Sequence, residues 1–278
     1  MEFKTVLLVV GADQGDAELG RAAAIAEGLG AHLTVLVLGV APPPPTSPYG
    51  VVSNDIWASE INDGQGAARA RAAEIAAILD GRGVPSGVQA HYVDRGTVSS
   101  LVARFARYAD LTLITPEDGD VDLAQSWVVN GALFESGRPV LLLPKGPFAF
   151  PKAERVMLAW DASVEAAKAV RDAIGLMQAA REVTAVLVDP VPSFDGHGPE
   201  PGADLAAYLA RHGVSLDVRL LPREGKEVAE LLQRSALDLN ADLIVMGGFG
   251  HSRLRQRIFG GTTTSTMRET AVPVLMAH

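Results

Sequence analysis

The chain lacks cysteine, lacks any long apolar run and lacks an excess of basic charge. Without cysteine it cannot form disulfides, thiolate metal sites or cysteine nucleophiles, and the absence is typical of a reducing compartment. No segment approaches the roughly 20 consecutive apolar residues that a membrane-spanning helix needs. The N-terminus has no cationic region ahead of an apolar core, so it does not read as a signal peptide. We therefore expect a cytoplasmic protein with no membrane partner.

Acidic residues outnumber basic ones by 33 to 24, which gives a formal net charge of −9 over 278 residues. A field of that sign repels phosphate backbones and argues against a general nucleic-acid-binding role. The histidines do not have the close spacing of metal ligands, and no thiolate is present to join them, so we expect no structural metal site. The six are His32, His91, His197, His212, His251 and His278.

Four apolar runs recur in the same order in the two halves of the chain, the first two at an offset of 150 residues. The pairs are 6–10 with 156–160, 33–38 with 183–188, 109–114 with 241–246, and 139–143 with 273–276. Between the halves, the segment 144–152 holds three prolines and a glycine, which is typical of a linker. The sequence therefore predicts a tandem duplication with domains at 1–147 and 152–278.

Within each half the apolar runs are short, unbroken and rich in Val, Leu and Ile, and they alternate with helical stretches. Continuous hydrophobicity predicts strands buried on both faces, and hence a parallel sheet with helices on both sides. We predict two α/β domains, each a doubly wound, Rossmann-like sheet of five parallel strands. In the second half the predicted strands are 155–160, 183–188, 215–221, 242–246 and 273–277; the predicted helices are 164–179, 202–212, 225–238 and 262–270. Gly83 and Gly213 occupy the positions of helix-ending glycines.

The segment 247–264 of the second half has glycines clustered at both ends, and its second cluster opens the last predicted helix. Glycines let backbone N–H groups approach an anion, and a helix N-terminus adds unpaired donors and partial positive charge. Arg253, Arg255, Arg257 and Arg268 add positive charge, with no acidic residue from 247 to 268. These features favour phosphate binding. The alternative is a glycine-rich loop with a solvated basic rim.

Established phosphate and hydrolase motifs do not fit this segment. It has no P-loop pattern, and it breaks the dinucleotide fingerprint at the last position. Residues 250–254 approach a serine nucleophile elbow, but Leu254 stands where the final glycine belongs. We therefore assign no catalytic residue.

Asp161, after the first strand of the second half, could act as a general base, but an aspartate there more often orients a ribose or caps the next helix.

The pattern Gly247-x2-Gly250-x9-Gly260, followed by small residues and a terminal Val-Pro-Val-Leu run, resembles the ATP-binding signature of the universal stress protein family. The whole chain is similar to the tandem members of that family. The resemblance implies that an aspartate after the first strand meets the adenosine, that the end of the second strand contacts the base, and that the glycine loop holds the phosphates. Gly261 departs from the family pattern, which has Ser or Thr at that place.

Carried onto this sequence, the resemblance implies one set of cofactor-binding residues, all in the second half. They are Asp161, Val188, Met246, Gly247, Gly250, His251, Gly260, Gly261, Thr262 and Thr263. His251 is included as a phosphate contact because it lies inside the glycine-rich segment; a solvent-facing loop histidine is an equal alternative. The implied cofactor is ATP, with or without Mg²⁺, and ADP, AMP and related nucleotides stay open.

The first half looks like a degenerate copy. At the matching places it has Gly11 (with Asp13 nearby), Thr115 and Asp118. The run 117–122 carries four carboxylates, which would repel a triphosphate. Such a run could hold a divalent cation, although a solvated acidic loop is more common. We therefore expect one nucleotide per chain, bound in the second half.

Three functions remain open. The leading one is an adenine-nucleotide-binding stress-response protein that regulates rather than catalyses. The second is a slow ATP hydrolase or phosphate-transferring enzyme, and the third is an interaction module without a ligand. The last strands of the two halves should lie at sheet edges, where unpaired backbone groups seek a partner. We expect them to pair in an intramolecular pseudo-dimer, and further dimerisation of the whole chain stays open.

Overall fold

The computed structural model describes residues 3–12, 15–43, 54–115, 123–144, 153–193, 196–248 and 270–278. Within these ranges, no helix is both long and apolar enough to cross a membrane. The described residues divide into two compact units. The first unit draws on Phe3–Leu113 and Asp122–Ser136, and the second on Ile114–Val121 and Gly137–His278. The predicted domain boundaries, at 147 and 152, lie outside the described residues and stay a prediction.

The first unit is a parallel sheet with the strand order β3-β2-β1-β4. Its strands are β1 (Thr5–Gly11), β2 (His32–Val40), β3 (Ser86–Val93) and β4 (Leu111–Ile114). Its helices are α1 (Ala17–Leu29), α2 (Asn54–Arg82), α3 (Val98–Ala106) and α4 (Leu123–Val129), with a 3₁₀ turn at Arg95–Thr97 and a π-helical turn at Asn130–Glu135.

The second unit has the strand order β5-β10-β9-β6-β7-β8. Its strands are β5 (Val140–Leu142), β6 (Arg155–Ala159), β7 (Glu182–Val188), β8 (Asp217–Leu221), β9 (Leu243–Gly247) and β10 (Val274–Ala277). Its helices are α5 (Val164–Ala179), α6 (Ala203–Arg211) and α7 (Val228–Asp238). Strands β6 to β10 form a five-stranded parallel sheet, and β5 pairs antiparallel with β10.

The predicted α/β class with mostly parallel sheets is confirmed. The predicted count of five parallel strands holds for β6 to β10, whereas the first unit has four, because β5 belongs to the second unit and pairs antiparallel with β10. Most strands are buried on both faces, as their unbroken apolar runs predict; Val6, Leu7 and Leu8 of β1 are fully buried. Strand β8 differs, because four of its five residues are exposed. It is the last strand in the order, and the helix before it, α6, has only nine residues.

Local predictions in the second half also hold where the structure describes them. The predicted helix 164–179 coincides with α5, and the other described elements agree within three residues at each end. Gly83 and Gly213 follow α2 and α6 with φ values of +71° and +76°, the left-handed conformation that ends a helix. The predicted helix 262–270 lies outside the described residues, apart from Thr270.

One aspartate performs the same task in each half, and we call Asp110 and Asp242 the anchor aspartates. The Asp110 carboxylate accepts hydrogen bonds from the backbone N–H groups of Lys4 and Thr5, at 2.9 and 3.0 Å. The Asp242 carboxylate accepts from those of Glu154 and Arg155, at 2.9 and 3.1 Å. Each anchor therefore fastens the start of the first strand of its half to the start of the fourth.

Replacing an anchor aspartate should destabilise the protein. In Asp242→Ala the N–H groups of Glu154 and Arg155 lose their acceptor, and we expect a loss of about 1–3 kcal/mol in unfolding free energy. Asp242→Asn keeps one acceptor oxygen and should lose less. Thermal and urea unfolding measure the effect. Asp238→Ala, on the exposed surface of α7, is the matched control, with an expected change within about 0.5 kcal/mol. Equal stability of the Asp242→Ala and Asp238→Ala proteins would contradict the anchor role.

Gly131, in the π-helical turn of the first unit, marks a close backbone contact. A Cβ atom at this position would overlap the carbonyl oxygen of Ser99 in α3. The Ser99 hydroxyl donates to the carbonyl oxygen of Trp127, at 3.0 Å, and so ties α3 to α4 just before the turn. A glycine is therefore required here by the distance between two backbones, with no positive φ involved.

Gly131→Ala should lower the unfolding free energy by about 1–3 kcal/mol, because the new methyl group forces α3 away from the π-helical turn. Gly66→Ala is the control, since Gly66 lies on the exposed side of α2 with no heavy atom within 4 Å of an added Cβ. That variant should gain roughly 0.5–1 kcal/mol from improved helix propensity. Differential scanning calorimetry of both proteins measures the change in melting temperature. If both substitutions shift the melting temperature in the same direction, the steric requirement for Gly131 is refuted.

Candidate functional site

The strand order of the second unit reverses between β6 and β9. From β6 the chain adds β7 and β8 on one side, then returns to place β9 and β10 on the other. Ala159 of β6 lies opposite Met246 of β9, so the two strands end at the same edge. Open parallel sheets bind ligands beyond the carboxyl ends of their strands at such a reversal. The candidate site is therefore this edge.

Asp161 lies two residues beyond β6, and its side chain is oriented by its own turn. Its Oδ1 atom accepts from the backbone N–H of Ser163 at 3.0 Å and from the Ser163 hydroxyl at 2.6 Å. Ala162, between them, has a φ of +59°. The Ser163 Oγ atom in turn accepts from the N–H of Ala166 at 3.1 Å and caps helix α5. An exposed carboxylate is thus held in one orientation at the start of a helix.

Gly247 ends β9 where the N-terminus of α5 crosses it. A Cβ atom here would lie 2.6 Å from the backbone nitrogen of Ala166 and 2.9 Å from the carbonyl carbon of Glu165. Such distances are impossible between a side chain and a helix backbone, so packing alone requires glycine. The motif predicted Gly247 as a phosphate contact, and the structure adds this second, purely steric reason for the residue.

The residues after β9 are fixed by the end of β10. The Gly248 N–H donates to the carbonyl oxygen of Ala277 at 2.9 Å. The ring of His278 donates from Nδ1 to the carbonyl oxygen of Gly248, also at 2.9 Å. Apart from its place after the last predicted strand, no sequence pattern points to His278. Its role here is to hold the first residues of the glycine-rich segment.

Val188, the predicted base contact, ends β7 at the same edge. It lies opposite Leu221 of β8, two residues beyond Val186, which pairs with Ala159 of β6. Asp189 follows in the left-handed region with a φ of +44°. Its carboxylate accepts from the N–H of Arg223 at 3.0 Å, which ties the turn after β7 to the turn after β8. Sequence reasoning missed Asp189.

The structure thus places Asp161, Val188, Met246 and Gly247 at the ends of three neighbouring strands. The other predicted cofactor residues lie outside the described residues and stay predictions: Gly250, His251, Gly260, Gly261, Thr262 and Thr263. In the degenerate half, Gly11 ends β1 and Thr115 follows β4, while Asp13, Asp118 and the rest of the acidic run lie outside the described residues. Across the described ranges, no three His, Asp or Glu side chains cluster as metal ligands would.

Residues 152–278, which contain this whole edge, match the model of the universal stress protein family. The second half of the chain belongs to the universal stress protein family. A curated universal stress protein from Synechocystis sp. is 30% identical over 141 residues, which make up 50% of this chain and 46% of the relative. The match therefore spans about half the length of that curated relative.

Solved structures of universal stress proteins show the same fold over nearly the full length. One from Archaeoglobus fulgidus is 17% identical, with a TM-score of 0.71 over 98% of this chain and 95% of that one. A second, from Pseudomonas aeruginosa, is 17% identical, with a TM-score of 0.56 over 98% of this chain and 92% of that one. At such identity the likeness establishes the fold alone. The resemblance of the sequence to this family is confirmed.

Gly247→Ala tests the steric reason for this glycine. The added methyl group would push α5 away from β9, so we expect the unfolding free energy to fall by about 1–3 kcal/mol in protein free of nucleotide. Gly28→Ala, in α1 with no heavy atom within 4 Å of an added Cβ, is the control and should not be destabilised. Chemical denaturation of nucleotide-free protein is the measurement. A Gly247→Ala protein as stable as wild type would show that the helix does not require glycine here.

Proposed function

We propose that the second unit binds an adenine nucleotide, ATP in the first instance, and that the protein acts as a nucleotide-responsive stress protein. The observation that carries the proposal is the meeting of Asp161, Val188 and Gly247 at the strand-order reversal. Ligands of open α/β sheets bind at that place. The glycine-rich segment, whose pattern resembles the ATP-binding signature of the family, begins there at Gly247.

Each described residue has a chemical part in this proposal. The Asp161 carboxylate can accept hydrogen bonds from the hydroxyl groups of a ribose. Its orientation is set before the ligand arrives, because Ser163 holds one of its oxygens, so less conformational entropy is lost on binding. The backbone at the end of β7, around Val188, suits the edge of a base. The glycines that follow β9 suit phosphates, as does the positive charge of the arginines in that segment.

Regulation without turnover is the favoured mode, and slow ATP hydrolysis or phosphate transfer is the alternative. Phosphoryl transfer needs charge neutralisation, usually by Mg²⁺, together with a positioned water or acceptor. Among the described carboxylates at this edge, Asp161 binds Ser163 through its Oδ1 atom, and Asp189 accepts from the N–H of Arg223. A steady-state phosphate-release assay with Mg²⁺ separates the two modes, since enzymes typically turn over at about 1–1000 per second.

We also propose that the two halves of the sequence associate as an intramolecular pseudo-dimer. Strand β5, which ends the first half, pairs antiparallel with β10, which ends the second. Leu141 lies opposite Leu275 at the centre of this pairing, and both residues are fully buried. The pairing covers backbone groups that an open sheet edge would expose.

Isothermal titration with ATP should give one site per chain. Asp161→Ala should weaken binding by about 1–3 kcal/mol, because ligand hydroxyl donors lose their acceptor. Gly250→Ala should weaken it by about 1 kcal/mol or more, since a Cβ hinders close approach of backbone to phosphate. Gly119→Ala, in the degenerate half, is the matched control and should leave affinity unchanged. Two equivalent sites, or a Gly119→Ala protein that loses binding while Gly250→Ala keeps it, would overturn the assignment.

A further inference from the structure

The second unit has a cavity that the proposed nucleotide site does not use. It lies between α5 and α6 and has a volume of about 510 Å³. Its principal lining residues are Trp160, Val164, Lys168, Arg171, Leu205 and Tyr208. A volume of this size is in the range of small-molecule sites, roughly 300–1,000 Å³. The cavity therefore suits a small ligand.

In the first unit, one arginine of α2 bridges the corresponding place, between α1 and α2. The Arg71 guanidinium of α2 pairs with Asp16, just before α1, at 2.7 Å. The Arg82 guanidinium lies 3.7 Å from where a Cβ of Gly20 would be. At the offset of 150, the residue that matches Asp16 is Ala166 of α5, which cannot form such an ion pair. Helix α6 has nine residues where α2 has 29. The two halves therefore differ in the helices at this place.

The groove presents apolar surface to solvent. Val164, at the start of α5, is 81% exposed, and Tyr208 of α6 is 36% exposed. Trp160 is half-buried at the end nearest the sheet edge, and Leu205 forms the buried floor. Exposed aromatic and branched side chains around one cavity are typical of a binding site rather than of a bare surface.

One largely exposed cation, Arg171, lies at the groove together with paired and acidic groups. Lys168 and Arg171 line it; Lys168 pairs with Asp172 at 3.1 Å, and the Arg171 side chain is 65% exposed, with its Nε atom 3.8 Å from Asp172. The lining also includes Asp204, but its Oδ2 atom lies 3.3 Å from where a Cβ of Gly198 would be, so it is directed toward the neighbouring loop. Because Asp172 pairs with Lys168 and lies near Arg171, the attraction of the groove for a carboxylate or sulfonate rests on the exposed part of the Arg171 guanidinium.

We propose that the α5–α6 groove binds a small amphipathic acid, with its aromatic or aliphatic body against Trp160, Val164, Leu205 and Tyr208 and its acidic group toward Arg171. The site is separate from the candidate nucleotide site, because its lining includes none of Asp161, Val188, Met246 or Gly247. It does not depend on ATP binding, so either proposal can fail without the other.

The probe is 8-anilinonaphthalene-1-sulfonate, an aromatic sulfonate that fluoresces in apolar sites. It is titrated into a Trp57→Phe, Trp127→Phe protein in which Trp160 is the sole tryptophan. We expect saturable binding of one probe per chain, with energy transfer from Trp160, in folded protein verified by circular dichroism. The uncharged analogue N-phenyl-1-naphthylamine should bind about tenfold more weakly, because it lacks the group that Arg171 attracts.

Val164→Glu is the decisive variant. Val164 is the first residue of α5, where a carboxylate favours the helix, so this protein should fold. The new carboxylate replaces an apolar contact of the probe's aromatic body and brings a like charge into the groove, and the expected loss of probe affinity is about tenfold or more. Val191→Glu, at a 70% exposed valine outside the groove, is the matched control and should bind as wild type.

Three outcomes would overturn the proposal. One is the absence of saturable probe binding to the folded protein. Another is equal affinity of the Val164→Glu and Val191→Glu proteins. The third is complete displacement of the probe by excess ATP, which would put the probe in the nucleotide site instead. Retention of the probe under excess ATP, together with the loss in Val164→Glu, supports a separate acid-binding groove.

Discussion

The adjacency of β6 and β9 is the constraint on which the rest of the second unit depends. Asp242 enforces it at one end, because its carboxylate accepts the backbone N–H groups of Glu154 and Arg155. At the other end the N-terminus of α5 lies across Gly247. With both ends fixed, the chain must send β7 and β8 to one side and β10 to the other. The edge where Asp161 and the glycine-rich segment meet is a consequence of that order.

The same constraint operates in the first unit and yet leads to a different surface. Asp110 fixes β1 beside β4 as Asp242 fixes β6 beside β9. The two units differ in their helices. Helix α2 is long, and its Arg71 forms an ion pair with Asp16, whereas helix α6 is short and borders the groove. A duplicated framework has therefore kept its strand order and changed its helices, as expected when backbone pairing is harder to alter than surface residues.

Much of this could be predicted from the sequence because the strands are unbroken apolar runs and the halves repeat. Helix α5 was predictable to the residue, since Ser163 caps it and its apolar positions recur at helical spacing. Only one of the two reasons for Gly247 could be predicted. The motif indicates phosphate binding, whereas the close contact with Ala166 depends on how helix α5 crosses strand β9. Asp110 and Asp242 were visible as a matching pair, but their task joins residues about a hundred positions apart, which local patterns do not reveal. The groove depends on the length of α6 and on side-chain packing, so it could not be predicted from a sequence motif.

The pairing of β5 with β10 has a consequence for biosynthesis. Residues 140–142 leave the ribosome well before residues 274–277, their partners in the antiparallel ladder. Until the last strand emerges, the backbone N–H and C=O groups of Val140, Leu141 and Leu142 that face β10 have no partner. Unpaired strand edges promote aggregation in nascent chains. A chain that ends before residue 274 would therefore lack β10 and would also leave β5 without its antiparallel partner.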